Sequence, residues 1–426
     1  MPKQTKAPML KVTTRSPEQR SFMSVSVPEH TVMRQCLNWL DCHYQDLFAD
    51  HRTKKCFIGA VVALFLEATL RKRKSIEEIC LHLQSRKWLQ EWTRLTSVSP
   101  STLYGRLEQI PLSLLQELYR QLLDEIARHY IGKPGLPDIG PLYAVDSTEI
   151  ALPPHRGLWA FTTAPKNFVR MHTCLRIADE TSACPHRIVL STGAVHEQEV
   201  LSHLVIDADA TYVFDRGYVN YERFIEWAEA KIFFVARLKH NNKCQLLAHH
   251  PLPEHSSIRL DAEVRITHPV KKITAQLRLV EYDVVDRHGK MKRIRVLTNR
   301  RDISAEAISE IYRGRWRVET FFKWMKQHSN LGKLYSTKEK AVWNQIYLSL
   351  IAHALCELVR LTMKPEATCR ELLQLLRIYA DVEKQSLEQV LLMPIRRKKR
   401  DRNIRPRERP PNERQSNEKK RIVITE

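Results

Sequence analysis

The chain has 426 residues, with 69 Lys and Arg against 48 Asp and Glu, a formal charge of +21. With 43% hydrophobic and 8% aromatic residues it can build sizeable cores, which excludes wholesale disorder; 11 Gly and 21 Pro exclude a collagen-like or linker-dominated chain. The surplus of positive charge calls for a polyanion, nucleic acid ahead of a membrane surface. Nine cysteines at irregular spacing, without a C-x-x-C pair, fit buried thiols in a reducing compartment better than a disulfide framework. Cys36, Cys42 and His43 lie close together but lack a second Cys/His pair, so zinc is not expected there. Met1–Ser24 is polar and has no apolar signal-peptide core. The longest apolar run, Cys56–Leu66, ends at Glu67, well short of the roughly 18 residues of a membrane span. A soluble, cytoplasmic protein without a membrane partner is the expectation.

Residues 1–28 read as disordered. From His30 to about Tyr130, apolar residues recur at three- and four-residue steps through Val32–Leu47, Phe57–Leu70, Ile76–Leu89 and Leu112–Ile126, which predicts a helical domain over 29–131. Ser99-Pro100 ahead of Leu103 and Leu107 is a helix start. Following the helix Ile76–Leu83, it forms either a DNA-reading helix-turn-helix or an ordinary helical hairpin. Gly132–Gly140, with Pro134 and Pro137, marks a domain boundary. Strand-like runs then alternate with helical ones: Leu142–Val145, Met171–Ala178, Ile188–Thr192, Thr211–Phe214 and Ile232–Leu238, with helices at Glu197–Val205 and Tyr221–Ala230. This pattern predicts an α/β sheet with parallel pairs. Residues 240–300 read as β-hairpins over Ile258–Ile266, Ile273–Val285 and Lys292–Thr298, an all-β insertion. Helix resumes from Ser304 to about His328, and residues 336–394 hold the C-terminal helices Val342–Leu361 and Cys369–Tyr379. Residues 395–426 form a basic tail expected to be disordered.

Two aspartates share a context. Asp146 ends the run Leu142–Val145 and Asp215 ends Thr211–Phe214. Ligands of α/β sheets bind beyond the carboxyl ends of strands, and two such aspartates face one another if their strands are neighbours. The plainer alternative for each is a turn former or a helix cap. Gly217 permits a tight turn after Asp215. The helix from Ile311 to Lys326 says more. At 100° per residue from Tyr312, Arg315 falls at about 300°, Glu319 at about 340° and Lys326 at about 320°. Ile311, Val318, Phe321, Phe322 and Met325 form an adjoining core face. A solvated face with a chance Arg315–Glu319 pair would show the same charges. The stripe, however, is net positive and carries a tyrosine.

Tyr312, Arg315, Glu319 and Lys326 stand in a Y-x2-R-x3-E-x6-K pattern, Val145-Asp146-Ser147-Thr148 resembles a first-aspartate block, and Phe214-Asp215-Arg216-Gly217-Tyr218 a second. In these motifs the chain resembles the DDE transposases of bacterial insertion sequences, specifically the insertion-sequence-four family. The resemblance implies a ribonuclease-H-like catalytic core over 141–239 and 301–335, interrupted by the β-rich insertion 240–300 and preceded by the α-helical N-terminal domain. It also implies a DNA transposase that binds the terminal repeats of its element, cleaves there by metal-dependent phosphodiester hydrolysis and joins the 3′ ends to target DNA. Asp146, Asp215 and Glu319 would be the catalytic residues and the ligands of two Mg²⁺ ions, with Mn²⁺ able to substitute. Tyr312, Arg315 and Lys326 would bind DNA. The implied partners are double-stranded DNA, as transposon ends and as target, and a second copy of the chain in the synaptic complex. Some relatives use a tryptophan in the insertion to stack on a flipped base; residues 240–300 have none, Tyr282 being their only aromatic, so no base-flipping residue is assigned. Two further readings share these residues: a metal-dependent nuclease that does not join, and a DNA-binding repressor without catalysis. His172, in a strand-like run, reads as structural, and His196-Glu197 does not begin an H-E-x-x-H zinc motif because residue 200 is Val.

Overall fold

The computed structural model describes residues 30–41, 56–130, 139–153, 155–163, 166–178, 183–240, 242–252, 256–267, 271–286, 289–363 and 367–391. The two segments expected to be disordered, 1–28 and 395–426, lie outside the described residues, as do Cys42 and His43; Cys36 is a buried free thiol.

The N-terminal helices are α1 (Val32–Cys36), α2 (Ile58–Arg71), α3 (Ile76–Ser85), α4 (Lys87–Thr93), α5 (Pro100–Gln109) and α6 (Leu112–Arg128). The single helix expected over Ile76–Leu89 is two, because Arg86 is extended. The start read at Ser99 is present: its side chain accepts from the Thr102 backbone N–H, with Pro100 in the first turn. Ten strands follow, with two helices among them: β1 (Leu142–Leu152), β2 (Phe161–Thr163), β3 (Lys166–Ile177), β4 (Ala183–Thr192), α7 (Glu197–Leu204), β5 (Thr211–Phe214), α8 (Tyr221–Glu229), β6 (Phe233–Arg237), β7 (Gln245–His249), β8 (Ile258–Thr267), β9 (Thr274–Val285) and β10 (Met291–Thr298). The remaining helices are α9 (Ala305–Gly314), α10 (Trp316–His328), α11 (Glu339–Met363), α12 (Cys369–Tyr379) and α13 (Leu387–Leu391).

All ten strands join one mixed sheet in the order β2-β3-β1-β5-β6-β10-β9-β8-β7, with β4 on β3. Among the described residues, only β1–β5 and β5–β6 pair in parallel. The segment expected as an all-β insertion consists of strands β7–β10, and it continues this sheet as an antiparallel extension. Its last strand, β10, pairs with β6 through Val296 opposite Arg237, Leu297 opposite Ala236 and Thr298 opposite Val235. The extension is tied down by a buried ion pair: Arg278 Nη2 lies 2.7 Å from Asp261 Oδ2, and Arg278 Nη1 donates to the Ile303 carbonyl just before α9.

The N-terminal helices, expected as a domain over 29–131, and the C-terminal helices of 336–394 form one bundle. Helix α11 runs through it with most of its surface buried, and Asn344 on it donates to the carbonyls of Leu107 and Ile110. Tyr130 donates to Glu357, and the backbone N–H groups of Val32 and Met33 donate to Val382 and Ala380. Helix α11 is long and apolar enough to cross a membrane, yet 67% of its apolar window is buried in the protein. It also carries the buried polar residues Asn344, Gln345, Ser349 and Glu357, which find hydrogen-bond partners inside the bundle and would lack them in lipid.

Side chains alternate faces along a strand, which divides the sheet between two cores. Leu142, Ala144, Val213 and Val235 pack with Ile308, Ile311 and Val318 of α9 and α10. Tyr143, Val145, Tyr212, Phe214 and Phe234 pack with Val200, Leu201, Phe224 and Trp227 of α7 and α8. The same alternation decides where the strand residues of the site point.

Candidate active site

The parallel register sets Val145 opposite Phe214 and Phe214 opposite Ala236. The next residue on each strand is Asp146, Asp215 and Arg237. By alternation all three share the face of Ala144, Val213 and Val235, the face covered by α9 and α10. The two aspartates, which the sequence could place only at strand ends, are therefore neighbours. Asp146 is not at the end of its strand, because β1 continues to Leu152 against β3; it sits where the pairing with β5 stops.

The helix carrying Tyr312, Arg315, Glu319 and Lys326 is nearly continuous. It tightens at Arg315, whose N–H bonds the Tyr312 carbonyl and whose own carbonyl accepts from Val318. Gly314 lies close to β3, where an added Cβ would come within 3.2 Å of Ile177 Cδ1. The core face read from the periodicity holds: Ile311, Val318, Phe321, Phe322 and Met325 are all buried. The polar stripe is not a solvated face, since Tyr312 and Arg315 are each only 8% exposed.

Arg315 is the hub. Its Nη1 lies 3.2 Å from Asp146 Oδ2, and its Nη2 lies 2.5 Å from Glu319 Oε1. Tyr312 Oη donates to Asp215 Oδ1 at 3.2 Å, and Arg237 Nη1 stands 3.8 Å from the same oxygen. Sheet and helix thus bring Asp146, Asp215, Tyr312, Arg315 and Glu319 together. Lys326 lies two turns beyond Glu319, exposed in the last turn of α10.

The electrostatics follow the geometry. Burial, reinforced by the Asp215 and Glu319 charges, pushes the Asp146 carboxyl up to about 6, although the Ser147 N–H and Arg315 oppose it. Burial also raises Asp215, but the Arg216 N–H, Arg315, Arg237 and Tyr312 outweigh it and hold that carboxyl below its ordinary value. Arg315 pairs with Asp146 and Glu319, and Asp215 stands beside them on Tyr312 and Arg237; all three offer carboxylate oxygens, the donors that hard divalent cations accept. Among the described residues, no three His, Cys, Asp or Glu side chains stand close enough to share an ion. The cation between Asp146 and Glu319 is Arg315.

Sequence reasoning missed Arg237, although Phe233–Arg237 ends at the same relative position as the two aspartate-ended runs. His172 is fully buried, with Nε2 2.8 Å from Ser191 Oγ, and burial lowers its pKa to about 4. A cavity of about 640 Å³ lies away from this site, beside Arg34, Trp88 and Trp92. A cleft of about 450 Å³ opens next to Asp215 and is lined by Arg216, Gly217, Lys239 and Lys243.

Two aspartates from neighbouring strands and a helix glutamate on one face of an α/β sheet form a carboxylate cluster of the kind suited to phosphoryl chemistry. Residues 139–355, half of the chain, match the family model described as Transposase DDE domain, and the chain belongs to that family. It is 30% identical over 230 residues to a protein of Sinorhizobium fredii named as a transposase, a match covering 52% of this chain and 63% of that one. It is 30% identical over 257 residues to a protein of Geobacillus stearothermophilus named as a probable transposase for an insertion sequence element, covering 60% and 66%. A third relative, from Synechocystis, is named as a transposase for another such element and is 26% identical over 204 residues, covering 47% and 56%. Each match spans less than two thirds of the relative's own length.

Proposed function

We propose that this chain is the transposase of an insertion sequence of the insertion-sequence-four family, with Tyr312, Arg315, Glu319 and Lys326 as its Y-R-E-K signature. The core β1, β3–β6 with α7–α10 is read as ribonuclease-H-like, extended at its β6 edge by the β7–β10 meander. The enzyme binds the terminal repeats of its element, hydrolyses a phosphodiester there and joins the 3′ ends to target DNA as a homodimer. The observation that carries this reading is the register that seats Asp146 beside Asp215 on the face from which Arg315 reaches Glu319.

The all-carboxylate donor set and the upward shift of Asp146 fit Mg²⁺, with Mn²⁺ able to substitute. Asp146, Asp215 and Glu319 would hold it. When bound, such ions supply activation of the attacking oxygen and charge neutralisation at the leaving oxygen. The chain's own residues do the positioning. Tyr312 fixes Asp215 through its hydroxyl. Arg315 holds Asp146 and Glu319 in place, and once released from them it can bind a phosphate bidentately. Lys326 offers a point charge further along α10, and Arg216, Lys239 and Lys243 line a cationic cleft for the DNA backbone. Helices α3 to α5 carry the candidate helix-turn-helix for end recognition.

The test incubates the full chain with a labelled duplex bearing the element's terminal repeat and a target plasmid, in Mg²⁺ or in EDTA. Metal-dependent cutting at the repeat followed by joining is expected. Cutting without joining would leave a nuclease, and end binding without cutting a repressor.

A further inference from the structure

Behind the site, on the opposite face of the sheet, stands a fourth carboxylate that the signature does not contain. Ser147 follows Asp146, so its side chain takes the face of Tyr143 and Val145, where α7 packs. Its hydroxyl donates to Glu197 Oε1 at 2.6 Å, and its backbone N–H donates to Asp146 Oδ1 at 2.8 Å. Glu197 opens α7, whose start is fixed by a reciprocal cap between His196 and Glu199. Its other oxygen, Oε2, lies against Gly217: a Cβ built on that glycine would come within 3.1 Å of it. Gln198 Nε2 donates to the Gly217 carbonyl at 3.3 Å, so α7 grips the turn after Asp215 as well. The fully buried Tyr218 closes this side; burial first, then the Glu197 charge, raise its hydroxyl above the ordinary range. Glu197 therefore reaches toward both aspartates, accepting from the Ser147 hydroxyl next to Asp146 and placing its other oxygen near Gly217, two residues after Asp215.

We propose that Glu197 is a positioning residue for the divalent-cation site: through the Ser147 hydroxyl it fixes the strand segment whose N–H orients the Asp146 carboxylate. This rests on the reading of Asp146 as a cation ligand. It also gives Gly217 a reason beyond turn geometry, since a side chain there would crowd the carboxylate. The role needs a hydrogen-bond acceptor at residue 197, not a charge, because Glu197 acts through Ser147 and from the face opposite Glu319. Partners that orient a metal-binding side chain are ordinarily worth about 10-fold or more in metal affinity.

The experiment measures Mn²⁺ binding to the full chain by isothermal titration calorimetry, with thermal melting in EDTA as a check on folding. Glu197→Ala and Ser147→Ala should each weaken Mn²⁺ binding by about 10-fold. The double variant should be no weaker than either single one, because the two groups act in series. Glu197→Gln, whose amide oxygen still accepts from Ser147, should stay within about twofold of the wild type on the same scale. Wild-type affinity in Glu197→Ala, additive losses in the double variant, or a Glu197→Gln loss equal to that of Glu197→Ala would each overturn the positioning role. Asp146→Asn is the control for the underlying reading. If it abolishes binding while Glu197→Ala does not alter it, this inference fails alone; if it too binds as the wild type, both fail.

Discussion

The Arg315 guanidinium stands 3.2 Å from Asp146 Oδ2, between that aspartate and Glu319 one helical turn further on. An arginine expected to meet phosphate is thus the resident counter-charge of the site. Arg315 holds Asp146 and Glu319 together while Tyr312 and Arg237 hold Asp215, and a divalent ion would compete with these groups for the same oxygens.

The first prediction separates these roles. Asp146→Asn, Asp215→Asn and Glu319→Gln should each abolish first-strand nicking while leaving end binding within a few-fold of the wild type. Arg315→Ala and Lys326→Ala should retain measurable nicking but slow the later steps, each losing a contact worth about 1–3 kcal/mol. A time course of nicked, double-cut and joined products decides. Nicking as dead in Lys326→Ala as in Glu319→Gln would defeat this division of labour.

Removing the counter-charge should expose the repulsion. In EDTA, Arg315→Ala should melt below the wild type, with a loss of about 1–3 kcal/mol for hydrogen bonds to charged groups. Added Mn²⁺ should recover more of that loss than it adds to the wild type, because the ion then replaces the missing cation. Equal metal-induced shifts in both proteins would count against it.

The pH dependence has a defined sign. Asp146 is raised from its ordinary value to about 6 in the folded chain. A raised carboxyl contributes stability that is fully present below its unfolded pKa of about 4 and is lost as pH rises through the folded one. Metal-free wild type should therefore lose stability relative to Asp146→Asn between pH 4 and pH 7, read by melting in EDTA. Mn²⁺ binding should strengthen over the same window as the carboxylate forms. Parallel melting curves for the two proteins would refute the assignment.

The meander depends on a buried charge pair. Asp261→Ala leaves Arg278 buried without its carboxylate and should cost about 3–5 kcal/mol. Replacing the pair together, Asp261→Leu with Arg278→Met, should cost much less. Denaturant midpoints measure both. Because Arg278 also holds the Ile303 carbonyl ahead of α9, the single variant should slow catalysis as well, without any change at the carboxylates.

The periodicity of the chain was enough for most elements. Thr211–Phe214 and Cys369–Tyr379 lie where the pattern puts them, since alternation and 3.6-residue spacing are local consequences of which face is buried. Strand β7, with all five residues exposed, leaves no such trace, and neither does the short β2. The joining of the β-rich segment to the core sheet was also illegible, because pairing between β6 and β10 links residues some sixty positions apart through backbone groups that every sequence has.

By itself, then, the sequence determined the residue types, their offsets and the faces they share: two aspartates after apolar runs, and a tyrosine, arginine, glutamate and lysine on one side of a helix with a core face beside them. Only the tertiary structure decided which strands are neighbours and in what register. That put Asp146 beside Asp215, turned Arg315 inward onto Asp146 and Glu319, brought in Arg237, and set Glu197 behind Ser147. Helical and strand periods are written in consecutive side chains, whereas contacts between β1, β5, α7 and α10 are made by burial and backbone pairing over long loops, which no local spacing encodes.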